Sequence, residues 1–269
     1  MATDHRAIVM GMNALRLMPI PALNDNYIWL LADARGNALA VDPGDAMPLL
    51  EVLARERLKL RTVLLTHHHP DHIGGVAELH RHHAFEVHAP VDTRITGPTR
   101  PATDGDSIAI ESPACRFTVI AVPGHTRSHV AYFGENILFS GDTLFSVGCG
   151  RLFEGSPAQM LDSLERLAAL PGETRVCCGH EYTVANCAFA LSVDADNADL
   201  RRRAQDAKTL RAAGQATLPS SLSDEIACNP FLRIDAEPIM RAVAETTADL
   251  QDRVERFAAL RLMKDAFRA

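Results

Sequence analysis

Short apolar runs alternate with segments of helical periodicity in the first part of the chain. Residues 27–32 and 39–41 predict two strands joined by a hairpin turn at 33–37. The segment Asp42-Pro43-Gly44 is predicted to turn the chain into a helix over residues 47–57. The apolar run 63–65 predicts a buried strand, and a further helix is predicted over 75–81.

The middle of the chain has a mostly β pattern. Short apolar segments separated by turn residues predict four strands, at 107–110, 117–121, 130–133 and 137–139. Ser156, Pro157 and Gln159 form a capping-box pattern with proline at the first helical position, which predicts a helix up to about residue 170. One more strand is predicted at 174–178.

The pattern changes after Tyr182. Strand signals disappear, and Ala, Leu, Arg and Asp recur at helical spacing over 198–213 and 249–263. A chain of 269 residues is also long for a single core. We therefore predict two domains, a larger one at residues 1–182 and a smaller all-α one at 183–269.

The composition and net charge limit the kinds of molecule that the chain is expected to bind. The net charge of −7, with no basic run, argues against nucleic acid, and no apolar stretch is long enough to cross a membrane. Residues 1–11 lack a signal-peptide layout, and the chain is expected to be a monomer. The cysteines have no C-x-x-C spacing, which is typical of reduced, buried thiols in a cytoplasmic protein; they are Cys115, Cys149, Cys177, Cys178, Cys187 and Cys228.

The densest chemical signal follows the predicted strand 63–65, where residues 66–75 read THHHPDHIGG. His67 and His69 are expected on the same side, because side chains alternate along an extended chain. Asp71 and His72 then come from the turn that the intervening proline forces. Imidazole and carboxylate are ligands of zinc and similar divalent ions, and four of them exceed the need of one open site. The loop therefore predicts two metals.

The other nearby histidines are not predicted to be ligands. His68 alternates away from its neighbours and is expected to face the scaffold. His80, His82 and His83 lie at the end of a predicted helix, where they complement the helix dipole and face solvent.

Three more short motifs follow predicted strands. His125, Asp142 and His180 each lie next to a glycine, which lets the backbone turn sharply and present the side chain at a sheet edge. Each motif alone is a weak signal. Together with the histidine loop they form a set.

That set resembles the metallo-β-lactamase superfamily over about the first 183 residues. The resemblance implies an α+β fold, an αβ/βα sandwich of two mixed sheets faced by helices. It also implies a dinuclear centre, with one metal held by His67, His69 and His125 and the other by Asp71, His72 and His180. Asp142 would bridge them together with a water or hydroxide. Zinc is expected, with iron and manganese as alternatives.

Within the superfamily the chain resembles glyoxalase II, the hydroxyacylglutathione hydrolases. The resemblance is carried by Leu23-Asn24-Asp25-Asn26-Tyr27, by the run GCGRLFEG at 148–155, by GHEYT at 179–183 and by the helical C-terminal part. It implies that this part helps to bind glutathione. The residues at the glutathione-contacting positions are Arg151, Phe153, Tyr182, Arg261 and Lys264.

Two residues depart from the family pattern. Phe153 stands where some relatives have tyrosine, which removes one hydrogen bond to the substrate. Ser128 replaces the glycine often found in Gly-His-Thr-x-Gly-His, and His129 is expected to support the ligands without binding metal.

The resemblance implies hydrolysis of S-(2-hydroxyacyl)glutathione thioesters. Hydroxide held between the metals would attack the carbonyl of S-D-lactoylglutathione and release glutathione and D-lactate, the second step of methylglyoxal detoxification. Asp71 would orient the hydroxide or accept its proton.

Three alternatives share part of this pattern. The main one is a mononuclear iron persulfide dioxygenase on the same fold, which oxygen consumption on glutathione persulfide would reveal. A β-lactamase or lactonase would not need the helical tail, so truncation after about Arg233 would leave its turnover intact. A structural metal protein would need only a closed set of four ligands.

Overall fold

The computed structural model describes residues 15–246 and 252–268 and contains two six-stranded sheets packed face to face. The first sheet has its strands in sequence order: β1 (Arg16–Ala22), β2 (Asn26–Ala32), β3 (Asn37–Val41), β4 (Lys59–Leu64), β5 (Glu86–Ala89) and β6 (Arg100–Pro101). β1 to β3 pair antiparallel and β3 to β6 pair parallel. The sheet is therefore mixed.

The second sheet has the order β14-β13-β10-β9-β8-β7. Its strands are β7 (Ser107–Glu111), β8 (Ala114–Ala121), β9 (Val130–Gly134), β10 (Ile137–Gly141), β13 (Arg175–Cys178) and β14 (Ser220–Ser221). Only β10 and β13 pair parallel. A small separate hairpin joins β11 (Leu144–Phe145) to β12 (Gly148–Cys149).

Helices cover the outer faces of both sheets. They are α1 (Ala46–Arg55), α2 (Pro70–Ile73), α3 (Val76–His82), α4 (Pro157–Ala168), α5 (Thr183–Val193), α6 (Ala198–Ala212), α7 (Leu222–Cys228), α8 (Glu237–Thr246) and α9 (Arg253–Ala266). The predicted capping box of α4 is present, with Ser156 Oγ accepting from the Gln159 amide and the Gln159 side chain accepting from the Ser156 amide. The local sequence thus determines where α4 begins.

The buried apolar side chains form layers. Trp29 and Leu39 of the first sheet meet Phe117 and Phe139 of the second in the core between the sheets. α1 and α3 cover the outside of the first sheet, whereas α4 and the C-terminal helices cover the outside of the second. The predicted αβ/βα sandwich with a helical C-terminal part is confirmed.

Several boundaries differ from the prediction. β4 starts at Lys59, four residues early, because its exposed positions alternate with buried ones at its beginning. The residues after His69 form the short helix α2, where a turn was expected. The helical part also contributes β14 to the second sheet, a strand too short to leave a sequence pattern. The domain boundary near Tyr182 stays a prediction.

Two predicted segments fall partly or wholly outside the described residues: the lead-in 1–11, and residues 249–251 of the last predicted helix. All six cysteines are free and buried, whereas the cytoplasmic location inferred from them stays a prediction. None of the helices that the structure describes has the length and apolar character needed to span a bilayer.

Candidate metal centre and adjoining cavity

The end of β4 and the loop after β8 bring three imidazoles together. His67 Nε2 and His125 Nε2 each lie 3.0 Å from His69 Nδ1. Neighbouring ligands of a tetrahedral ion with metal–nitrogen bonds of about 2.0–2.1 Å lie about 3.3 Å apart, so these three nitrogens are close to the required spacing. We call His67, His69 and His125 the first triad, one of the groups able to hold a metal ion.

A second group lies beside the first. Asp71 and His72 come from α2 and His180 follows β13; the carboxylate of Asp71 lies 3.5 Å from Nε2 of both histidines. We call these residues the second triad. Asp142 lies between the two triads, with Oδ2 3.4 Å from His125 Nε2 and 3.2 Å from His180 Nε2. The structure therefore brings all seven predicted ligand residues together.

The donor set fits a divalent metal. His72 Nε2 and Asp142 Oδ1 are buried and have no hydrogen-bond partner among the described residues, yet they lie only 3.4 Å apart. A buried polar atom without a partner is costly, and a metal ion between these atoms would satisfy both. Gly179 keeps this space open, because a Cβ there would meet Asp142 Oδ1 at 2.5 Å and His72 Cε1 at 2.7 Å.

The histidines of the site differ in the direction of their pKa shifts. Burial lowers the pKa of His67 well below its usual range and, with His125 nearby, lowers the pKa of His69 to about 4. Burial also opposes charge on His72, but Asp142 and Asp42 raise its pKa well above the usual range. Burial raises the pKa of Asp142, and His72 and His180 more than offset this, so that the net shift is strongly downward. The first triad is therefore neutral and ready to bind a cation, and Asp142 is a carboxylate.

Asp42 is a buried carboxylate next to the second triad. Its Oδ2 accepts from Thr66 Oγ1 at 2.7 Å and lies 2.9 Å from His72 Nδ1, while Oδ1 accepts from the Thr66 amide at 2.8 Å. Because these bonds use both oxygens, Asp42 orients His72 so that Nε2 faces Asp142. This role of Asp42 was not predicted, because the local sequence Asp42-Pro43-Gly44 indicates only a turn.

His129 supports the bridge between the triads. Its ring is buried and stacks on His67 at 4.6 Å between ring centroids, and its Nε2 accepts from the Asp142 amide at 3.1 Å. This arrangement agrees with the expected supporting role. Ser128, in place of the family glycine, donates to Asp92 Oδ2 at 2.6 Å, so its side chain ties the loop to a neighbouring segment.

Three other histidines have partners outside the triads. His68 lies 3.6 Å from Asp92 and 3.7 Å from Glu154, and its ring centroid lies 4.7 Å from that of His69. His80 stacks on Phe85, and His82 pairs with Glu78.

A cavity of about 520 Å³ opens onto both triads. Its lining includes the five predicted substrate-binding residues: Arg151, Phe153, Tyr182, Arg261 and Lys264. Phe153 is 62% exposed and places its ring 5.2 Å from His125, at the end of the first triad. Tyr182 stacks on His180 at the end of the second. The cavity thus joins the ligand groups to a wall that contains three cations, Arg151, Arg261 and Lys264, which we call the cationic wall.

The three cationic residues of this wall are held to different degrees. Arg261 is buried, where Nη1 donates to the Cys149 carbonyl at 2.8 Å and Nη2 to Asp265 at 3.1 Å. Lys264 makes one long bond of 3.4 Å, to the Ala185 carbonyl, and Arg151 lies 3.5 Å from Asp265. Lys264 and Arg151 therefore present the more available charges, and Arg261 is largely committed to the fold.

Comparison with known proteins gives the family. A model of the metallo-beta-lactamase superfamily matches residues 24–180, and one for the hydroxyacylglutathione hydrolase C-terminus matches residues 181–267. The hydroxyacylglutathione hydrolase of Xanthomonas campestris pv. campestris is 55% identical over 257 residues, covering 95% of this chain and 100% of that relative.

Two solved structures are similar in fold. ETHE1 from Myxococcus xanthus has a TM-score of 0.62 at 24% identity, and the match covers 93% of this chain and 98% of that one. TTHA1623, solved in a di-iron-bound form, has a TM-score of 0.53 at 30% identity, covering 61% of this chain and 91% of that one. Likeness to ETHE1 at this identity extends to the fold alone. The C-terminal match and the full-length identity show that this chain belongs to the hydroxyacylglutathione hydrolase family of the metallo-β-lactamase superfamily.

Proposed function

We propose that this chain hydrolyses S-(2-hydroxyacyl)glutathione thioesters, with S-D-lactoylglutathione converted to glutathione and D-lactate. The observation that carries the proposal is the single cavity that joins the two triads to the cations Arg151 and Lys264. A thioester whose acyl carbon lies over the triads would extend its anionic glutathione moiety toward these cations.

The first triad would hold one divalent ion and the second triad another. Asp142 would be a ligand of both ions. When bound, such ions lower the pKa of a shared water toward neutrality and polarise a carbonyl. Zinc suits this set of imidazoles and carboxylates, as do iron and manganese. The di-iron form of TTHA1623 supports a two-metal centre in this fold.

Asp71 would act on the attacking water. Its side chain is 37% exposed to the cavity, whereas the other carboxylate of the centre, Asp142, is buried. Asn26 Nδ2 donates to Asp71 Oδ2 at 2.9 Å and holds the carboxylate in place. Asp71 would orient the water and accept its proton, and its exposure to the cavity supports this role. The glutathione thiolate is a good leaving group, so the reaction needs no strong general acid.

Glutathione would bind along the wall formed by α5, α9 and the loop after β12. Lys264 and Arg151 would attract its carboxylates, and the Tyr182 hydroxyl lies in the same cavity lining as a hydrogen-bond donor. Arg261 would act mainly by holding the Cys149 carbonyl, and Phe153 would pack against the acyl end. The chain is proposed to act as a monomer.

The test is to follow the loss of S-D-lactoylglutathione in the purified protein and to measure metal content on the same sample. We expect rapid thioester hydrolysis with close to two metals per chain. His67→Ala should abolish both hydrolysis and full metal loading, because it removes a ligand of the first triad. A protein with one iron that consumes oxygen on glutathione persulfide, and does not cleave the thioester, would refute the proposal.

A further inference from the structure

The turn between β1 and β2 contacts two of the three residues of the second triad. We propose that residues 23–26, which comprise this turn and the first residue of β2 and are called the turn below, position Asp71 and His180 and thereby control metal binding at the second triad. The inference rests on the two-metal centre of the proposed function and adds to it a pair of positioning residues, Asp25 and Asn26.

Asn26 holds the carboxylate of Asp71. Its Nδ2 donates to Asp71 Oδ2 at 2.9 Å and lies 3.3 Å from the Asp71 carbonyl oxygen. The same Oδ2 faces Nε2 of His72 and of His180, each at 3.5 Å. The amide of Asn26 therefore selects the side-chain conformation in which Asp71 points at the two imidazoles.

Asp25 performs the equivalent task for His180. Asp25 Oδ1 lies 2.7 Å from His180 Nδ1, on the side of the ring opposite Asp142. A carboxylate at this nitrogen favours the tautomer with the proton on Nδ1, which leaves the Nε2 lone pair free for a metal. Asp25 thus aims His180 into the centre.

The turn is fastened to the end of β13 by the main chain. The Tyr27 amide donates to the Gly179 carbonyl and the Glu181 amide to the Asp25 carbonyl, both at 2.8 Å. Asn26 and His180 are also paired as an isolated bridge. The turn and the His180 segment therefore move together, and a change in either side chain of the turn acts directly on a ligand.

The first triad is held by other elements. Thr66 Oγ1 lies 3.0 Å from His67 Nδ1, and the Arg151 carbonyl oxygen lies 3.0 Å from His125 Nδ1. Disruption of the turn should therefore weaken one metal position and spare the other. Loss of one outer hydrogen bond to a ligand typically costs about 10–100-fold in metal affinity.

The experiment compares metal binding by the full-length wild type with Asn26→Ala and Asp25→Ala. The apoprotein is titrated with zinc in competition with a chromophoric chelator, and bound zinc is counted by elemental analysis. Asn24→Ala is the matched control, because Asn24 is exposed in the same turn and its side chain makes no hydrogen bond within the described residues. Asp25→Asn keeps an acceptor for His180 Nδ1.

We expect the wild type and Asn24→Ala to bind two zinc ions. Asn26→Ala and Asp25→Ala should keep one ion at the wild-type affinity and bind the other about 10–100-fold more weakly. Asp25→Asn should recover most of that loss, which a general effect of an altered turn would not do.

Two results would overturn the role of the turn. If both alanine variants bind two ions as tightly as the wild type, the turn does not position the ligands, although the two-metal centre stands. If both alanine variants lose the same affinity for each of the two ions, the contacts of the turn stabilise the whole fold and not the second triad in particular. A wild type that binds a single ion would refute the two-metal centre itself. Far-ultraviolet circular dichroism of each variant identifies a misfolded protein. If an alanine variant is misfolded, the zinc binding of Asp25→Asn is compared with that of the wild type instead.

Discussion

The two ends of the cavity are built differently. At the metal end, ligands leave the ends of β4, β10 and β13 and are mostly buried; His67 is completely so. At the other end, the charge of Lys264 comes from α9 and is held by one long hydrogen bond. Metal ligation needs bond lengths within about 0.2 Å of ideal, whereas an ammonium group attracts a carboxylate over a range of positions. The contrast predicts large effects on turnover at the first end and smaller effects on KM at the second.

Among substitutions that keep every ligand, the largest effect is expected from Gly179→Ala, at the metal end. The added Cβ would lie too close to Asp142 Oδ1 and His72 Cε1 for all three groups to stay in place. We expect loss of at least one metal and a fall in kcat on the order of a hundredfold, about 2.7 kcal/mol in activation free energy. Elemental analysis and initial rates check this.

Gly172→Ala is the matched control for this substitution. A Cβ at Gly172 would meet only Ser223 Cβ, at an ordinary contact distance of 3.5 Å. Wild-type metal content and rate are expected. Two metals and an undiminished kcat in Gly179→Ala would show that the ligand geometry tolerates far more movement than we infer.

A smaller effect is expected from Lys264→Met at the cationic end. Methionine retains much of the apolar stem but removes the charge, whose Nζ lies 5.5 Å from the ring centroid of Phe189 and 5.8 Å from that of Phe267. KM for S-D-lactoylglutathione should rise about tenfold, as for the loss of one charged hydrogen bond of roughly 1.5 kcal/mol, with little change in kcat. Steady-state kinetics measure both, with Lys208→Met on the exposed face of α6 as control. A fall in kcat with unchanged KM would contradict a binding role.

The smallest effect is expected from salt. The Debye length falls from about 10 Å at 0.1 M salt to about 3 Å at 1 M, so attraction by the partly exposed cations should weaken. KM of the wild type should rise roughly twofold to threefold over this range, and less in Lys264→Met. A KM that is equally salt-sensitive in both proteins would place the relevant charge elsewhere, and the next residue to test is Arg151.

Much of the fold could be predicted from the sequence where local signals are strong. The capping box at Ser156 determines the start of α4, and short apolar segments separated by turn residues predict β7 to β10. β5, β6, β11, β12 and β14 were not predicted, because these segments of two to four residues are strands only through pairing with other segments. The seven-residue β1 was also missed, and prolines such as its Pro19 and Pro21 are unusual inside a strand. The short helix α2 follows from the proline at position 70, which the sequence analysis interpreted only as a change of direction.

The candidate site likewise has features that the local sequence predicts and features that it does not. The spacing of the histidine loop and the glycines beside His125, Asp142 and His180 point to a metal centre, because ligand chemistry and sharp turns are properties of the local sequence. The roles of Asp42 and Asp25 depend on contacts with residues 24 to 155 positions away in the chain. No pattern near either residue predicts such a contact.

The sequence by itself therefore determined which side chains are able to bind metal, which segments form many of the strands and helices, and which family the chain resembles. Only the tertiary structure decided which oxygen or nitrogen faces the centre. It also showed that Arg261 is committed to Cys149 and Asp265 while Lys264 and Arg151 remain available to an anion. The physical reason is that hydrogen bonds and burial between distant segments set orientation and charge, and these exist only once the sheets have packed.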